Sequence, residues 1–508
     1  MHKPFIRLLA ALALTALLGS FALAQVLVVA QGTDAVTLDP HDVTDSPSAT
    51  VASHIYETLF ELTPEGDIVP HLVTDYAFSD DGLTLSLNIR EGVTFHDGTP
   101  LTAEIVKGSL DRFLDPENAW TFRFLLSAVS NVAVTGTHSV DLTLSTQFAP
   151  LLAHLTHNST AIMLPAAAEQ YGDDFASNPV GTGPFQFVSW QRNDAIELAR
   201  YDGYWGEAPG VSGVRFLTVP ENATRMALVE SGQAHVAVRV PPQDIARLNA
   251  VDGVTVHNVS SVRTIFMFMN FSLEPINDVR VRQAINYAID NHALAEFVLG
   301  GAVRVSDAPV APGIFGYTPV GNYDYNPERA RELLAEAGYA DGFSTVFYTP
   351  SGRYLQDIQT VEAMQEMLAQ VGITATIETL EWSAYLEKVN AVPGESDVPV
   401  GLLGWGTVTG DADYGLYPLF HTDQQRPVGS NRGAYSNARV DELLDDARTN
   451  TNPDERLAAY QEAMQLIWDD AAWLFMHSET QLVAVSDSVS GLVIHPTERI
   501  LAFTASID

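Results

Sequence analysis

The period of the apolar residues changes twice along this chain, and that pattern constrains the architecture more than any one motif does. Up to about Asn270 the texture is β-like. Val26 to Ala30 is a short strand-like run, Leu83, Leu85, Leu87 and Ile89 alternate with Thr84, Ser86 and Asn88, and Val140, Leu142 and Leu144 repeat the alternation. Val214 to Val219 is another β-rich run, and Arg263 to Phe271 is almost wholly apolar, as a strand inside a sheet must be. Beyond Asn270 helices take over. Asp278 can cap a helix that carries Val281, Ala284, Ile285, Ala288 and Ile289 on one face. Asn326-Pro327-Glu328 supplies a cap, a first-turn proline and an acid matched to the helix dipole. Val361, Met364, Leu368 and Val371 make a third stripe ended by Gly372, with alternating Ile373, Ala375 and Ile377 directly after it, and Asn452-Pro453 opens a fourth helix. Helices alternating with strands predict an α/β fold for this half. From about Gln481 the texture returns to strand, the mark of a chain that re-enters its first domain. A length of 508 residues fits roughly three domains.

The N-terminus predicts export. Lys3 and Arg7 precede an apolar run from Leu8 to Leu18, and Ala22-Leu23-Ala24 offers small residues at a cleavage site, so residues 1–24 read as a signal peptide and Gln25 as the first mature residue. The apolar run falls well short of the roughly 20 residues that span a bilayer. Against 26 Lys and Arg stand 63 Asp and Glu, a formal charge of -37, which excludes a nucleic-acid binder or a guest of anionic lipid. The absence of cysteine excludes disulfides, thiolate metal sites, thiol nucleophiles and a lipid-modified N-terminal cysteine. The expected protein is exported to the periplasm, soluble and not lipid-anchored.

Signatures of catalysis are thin. There is no His-Glu-x-x-His, no Gly-x-Ser-x-Gly elbow and no phosphate loop, and Gly181-Thr182-Gly183-Pro184 lacks the third glycine of a dinucleotide loop. Asn178 to Phe185 reads as a rigid crossover that is either a hinge or a structural turn. His154 and His157 lack partners at ligand spacing, so neither a metal site nor a cofactor is expected. Asp39, Asp42 and Asp45 form an acidic cluster without the spacing of a calcium loop. Trp382, Trp405, Tyr414 and Tyr417 are expected in or beside loops that follow strands, where a scaffold aims side chains at ligands. Trp382 reads equally as core, and Trp405, followed by Gly406, Gly410 and two acids, as facing a cleft. Arg353, between a strand and a helix start, is suited to take a carboxylate bidentately or to pair with a surface acid.

Six segments, in order, resemble the family 5 extracellular solute-binding proteins, receptors of peptide, glutathione and nickel ABC importers. They are Thr37-Leu38-Asp39-Pro40, the run from Phe78 through LTLSLNIREGVTFHDGTPLTAE, NPVGTGPF, YDGYWGE, VRVRQAINYAIDNHAL and YNPERARELLAEAGY. The resemblance implies a periplasmic-binding-protein-like α/β fold of the cluster C type, with two lobes, a two-strand hinge and an extra domain. Lobe I would hold residues 25–56, 181–267 and 478–508, the extra domain 57–180, and lobe II 268–477. It implies a small peptide enclosed between the lobes, a membrane permease that recognises the closed form, and no turnover; the working unit is expected to be a monomer. Peptide-binding members hold the ligand amine with an Asp three residues after a loop Trp, but here that residue is Val408. Thr409 to Asp413, TGDAD, is similar to glutathione-importer receptors, which makes Asp411 or Asp413 the candidate for the amine and Arg353 or Arg263 for a carboxylate. An oligosaccharide stacked on Trp382 and Trp405, or a nickel chelate, is the alternative in the same fold. Outside it stand a secreted acid hydrolase and a chaperone.

Overall fold

The computed structural model describes residues 25–508, so the expected leader at 1–24 lies outside the described residues. Strand β1 (Val26–Gln31) leads into helix α1 (Ser46–Ile55), capped by Asp45, whose carboxylate accepts from the Ser48 amide and hydroxyl. Strands β2 (Val73–Phe78), β3 (Thr84–Ile89), β4 (Val129–Gly136) and β5 (Ser139–Leu144) form an antiparallel sheet in the order β2-β3-β5-β4. In β3 the alternation is realised as read: Leu85, Leu87 and Ile89 are buried, Ser86 and Asn88 exposed.

The chain then builds β6 (Phe185–Gln191), β7 (Ala195–Arg200), β8 (Gly213–Thr218), β9 (Val236–Val238) and the long β10 (Val254–Met269). Next come α2 (Val279–Ala288), α3 (Pro327–Glu336), β11 (Phe343–Pro350), α4 (Asp357–Ala369), β12 (Ile373–Leu380), α5 (Trp382–Val389), β13 (Val400–Gly406), α6 (Ala412–Phe420), α7 (Ala438–Thr449), α8 (Pro453–Asp469) and β14 (Trp473–Ser486). Asp278, Asn326 and Asn452 each cap the helix expected of them.

One sheet of eleven strands runs β12-β11-β13-β10-β14-β9-β1-β8-β7-β6, with the short strand Arg304–Val305 beside β14. Its two ends are different half-sheets, β11 to β13 on one side and β1 with β6 to β9 on the other. Only β10 and β14 belong to both. They pair antiparallel from Val254↔Ser486 to Phe268↔Trp473, with the register broken between Ser260 and Thr264. Below that break β14 pairs with β9; above it β10 pairs with β13. The result is two lobes joined by two strands, with the small sheet β2 to β5 as an added part. Among the described residues no helix is long and apolar enough to cross a membrane.

Two motifs pin the added part. In Asn178 to Phe185, a Cβ on Gly181 would sit 2.0 Å from the Ile55 carbonyl oxygen and one on Gly183 2.6 Å from that of His54, so only glycine lets this turn lie against the end of α1. In YDGYWGE, the Tyr204 hydroxyl and the Trp205 Nε1 both donate to Glu57, which also meets His71 Nε2 at 2.9 Å.

Candidate ligand-binding cleft

Where β10 and β14 cross between the lobes, a cleft opens. Asp45, Ser46 and Ala49 at the start of α1 form one wall, with His157, Asn158, Thr497 and Arg499 beside them. Arg353, Tyr354, Trp382, Trp405 and Arg432 form the other.

Arg353 sits in the loop between β11 and α4, held there because its amide and that of Tyr354 donate to Asp357, the first residue of α4. The residue is 1% exposed and its guanidinium lies over the rings of Tyr354 and Trp382 at 4.7 and 5.3 Å. Nη2 reaches the Ser46 hydroxyl at 3.3 Å and Glu498 at 3.5 Å, while Nε and Nη1 are buried without a partner. Arg263, from β10, hydrogen-bonds through both terminal nitrogens at 2.6 Å, to the Gly404 carbonyl and the Ser46 hydroxyl, and its Nε is ion-paired with Glu498 at 2.6 Å. It shapes the wall and shares Ser46 and Glu498 with Arg353.

Trp382 opens α5, 3% exposed, with Tyr385 stacked on its ring and Nε1 buried without a partner. Trp405 lies within strand β13, not in a loop after it. Its Nε1 donates to the Tyr414 carbonyl at 2.8 Å, and its ring packs on Tyr414 and the edge of Phe122. It is half-buried and lines the cleft.

The expectation for Asp411 and Asp413 is corrected. Neither lines the cleft. Asp411 caps α6 and accepts from Arg456 at 2.8 Å and from the Tyr460 hydroxyl. Asp413 is fully buried, which alone would raise its carboxyl, but the charge of Arg448, whose Nε lies 3.1 Å away, and the contact with His154 Nε2 at 3.1 Å hold it below the ordinary range. Both acids are spent inside the protein. Val408 does line the cleft.

The carboxylate that the cleft does contain is Asp45, which sequence reading had placed in an unassigned acidic cluster. Burial raises its pKa, opposed by the hydrogen bonds from Ser48 and the field of Arg353. His157 is neutral: burial, then His154 and Arg499, push it down to about 3, and its Nε2 pairs with the Tyr414 hydroxyl at 2.9 Å. Arg432 and Arg499 were also missed, because nothing around either in sequence resembles a motif. Their one legible signal is rarity, since a chain with 26 Lys and Arg has few cations to place in a cleft.

Two lobes bridged by a strand pair, with a cleft between them that sets arginines and one carboxylate among aromatic walls, define a two-lobed binding protein. The chain belongs to the bacterial extracellular solute-binding proteins, family 5, whose model matches residues 67–427. It is 34% identical over 492 residues to the glutathione-binding protein GsiB of Salmonella paratyphi A, covering 96% of each chain. Among solved structures it resembles the periplasmic binding protein DppA of Helicobacter pylori in complex with the peptide STSA, with a TM-score of 0.87 and 27% identity over 95% of this chain and 98% of that one. AgaA of A. tumefaciens R10, in complex with agropinic acid, superposes with a TM-score of 0.85 at 25% identity, over 95% and 99%.

Proposed function

We propose that this chain is the periplasmic receptor of an ABC importer, which binds a small peptide of the glutathione type between its lobes without turnover and presents the closed form to a permease. The observation that carries this reading is the cleft itself: placed where two strands join the lobes, and furnished with unpartnered Arg353 donors and, on the other wall, Asp45. A peptide brings the matching groups, a carboxylate and an ammonium. The likeness to glutathione-binding relatives over nearly the whole chain supports the ligand class.

Lobe I is assigned residues 25–56, 181–267 and 478–508, the extra domain 57–180, and lobe II 268–477. Strand pairing supports the division, since β1 and β6 to β9 fall in the first lobe and β11 to β13 in the second. A stacked sugar is disfavoured, because Trp382 is already covered by Tyr385 and Arg353, and Trp405 is packed on Tyr414. A hydrolase built on Asp411 and Asp413 is disfavoured by the arginine partner of each.

Thermal melts of the full chain with glutathione, dipeptides, oligosaccharides and a nickel–histidine chelate test the reading. A ligand at 100 times its Kd adds about 2.7 kcal/mol. Glutathione or a dipeptide is expected to raise the Tm. No shift with either, or a shift with sugar alone, overturns the proposal.

A further inference from the structure

Four arginines line the cleft, Arg263, Arg353, Arg432 and Arg499, against one carboxylate, Asp45. In a chain with 63 acidic residues a counter-charge for each would be easy to supply, yet among the described residues neither Arg432 nor Arg499 has a carboxylate within 4 Å. Arg432 Nε donates to Asn390 Oδ1 at 2.8 Å, and Arg426 Nη2 donates to that same oxygen at 2.7 Å. Two guanidinium groups thus converge on one neutral amide, and Arg426 Nε is buried with no partner at all. Burial and then the like charge of Arg432 push Arg426 down to about 8, the response of a cation held where its counter-ion is missing.

On the opposite wall Arg499 hydrogen-bonds only to neutral oxygens, Thr497 Oγ1 at 2.9 Å and Ser53 Oγ and Asn158 Oδ1 at 3.4 Å, with Glu61 acting on it from beyond ion-pair distance. Other arginines without acids are of a different kind. Arg225 and Arg282 are surrounded by backbone carbonyls, those of Val219 and Val238 for the first and of Ile276, Asn277 and Asp470 for the second, and neither lines the cleft. They are structural.

We infer that the cleft is built for a ligand with two carboxylates, one received by Arg353 and Arg432 with Arg426 behind it, the other by Arg499 across the cleft, with the ligand ammonium at Asp45. Arg432 and Arg499 are then the residues that select a diacid peptide over an ordinary dipeptide, which has one carboxylate. Arg432 and Arg499 are half-buried in the cleft, and such an arginine favours an ionised carboxylate because losing water is costly for either charge alone and less so for the pair. This deepens the receptor reading and rests on it.

The experiment is titration calorimetry of the full chain with three probes: glutathione, its glycyl monoethyl ester and the dipeptide Ala-Ala. Wild type is expected to bind glutathione about tenfold or more tighter than either probe with one carboxylate, as for a charged hydrogen bond of roughly 1.5 to 3 kcal/mol. One of the variants Arg432→Gln and Arg499→Gln should erase the difference between glutathione and its ester, and the other should weaken both alike. Equal affinity for glutathione, ester and Ala-Ala in wild type overturns the inference while leaving the peptide receptor standing, and so does an ester penalty that survives in both variants. Binding of none of the three overturns the receptor reading as well. The wild-type comparison needs no variant to fold.

Discussion

Asp411 and Asp413 illustrate how the same side chain reads differently from sequence and from its surroundings. An acid in a glycine-flanked loop after Trp405 looks available to an amine, but Arg456 and Arg448 lie 45 and 35 positions further along, on α8 and α7, where no local pattern announces them. Removing one partner of a buried pair leaves the other charge stranded and costs about 3–5 kcal/mol. Asp411→Asn is therefore expected to lower the urea midpoint strongly while leaving the glutathione Kd of the folded protein unchanged; a large change in Kd would return Asp411 to the site. Glu479 and Glu498 make a sharper pair. Burial would raise Glu498, but Arg263, Arg353 and Arg239 outweigh it and hold it well below the ordinary range; burial and the Glu498 charge push its neighbour Glu479 up to about 8. Glu479 is thus held neutral, accepting from the Leu355 amide, and Glu479→Gln should change stability by no more than about 1 kcal/mol. Glu498→Gln strands three arginines and should cost about 3–5 kcal/mol. Urea unfolding of the two variants decides, and equal costs would sink the assignment.

At the scale of elements, the helices were legible because their ends are written locally: Asp278, Asn326 and Asn452 each lie two or three residues before the amide they cap. The two joining strands were legible only in part. The first half of β10 alternates loosely, so only its apolar second half stood out, and β14 begins at Trp473 rather than near Gln481 because both its faces are buried and alternation is lost. Motifs that carry the family likeness act as fasteners between elements. Glu57 gathers Tyr204, Trp205 and His71, and His71 also lies 3.3 Å from Glu61. Burial would lower the His71 pKa, but its hydrogen bonds to Glu57 and Glu61 exceed that and raise it from 6.5 to about 9. Because the folded state holds this proton more tightly than the unfolded chain, its stabilisation is full below about pH 6.5 and is lost as pH rises through about 9. The urea midpoint of wild type should fall across that window beyond what other groups contribute, and Glu57→Gln should flatten the fall. An unchanged pH slope in the variant would remove this fastener from the account.

For the whole molecule, charge is distributed against its own total. The chain carries -37, yet its cleft is lined by four arginines and one carboxylate, and even with Glu498 behind Arg263 and Arg353 the cations are in excess, so an anionic ligand crosses a repulsive field before it reaches an attractive one. The sequence total argues against nucleic acid and conceals the local sign, because which few cations face inward is a property of the fold. The two fields have different ranges. Surface charges act over the Debye length, about 30 Å at 0.01 M salt and about 8 Å at 0.15 M, whereas buried arginines act at contact and are screened much less. Raising salt from 0.01 to 0.15 M should therefore weaken the long-range repulsion first and increase the association rate of glutathione, with a much smaller effect on dissociation. This is opposite in sign to the behaviour of a cation-steered anion binder, whose association rate falls with salt. Stopped-flow tryptophan fluorescence across that range separates the two, since Trp382 and Trp405 line the cleft. A rate that falls with salt would show the arginine field reaching beyond the mouth of the cleft, and the acidic surface would then have no part in setting the speed of capture.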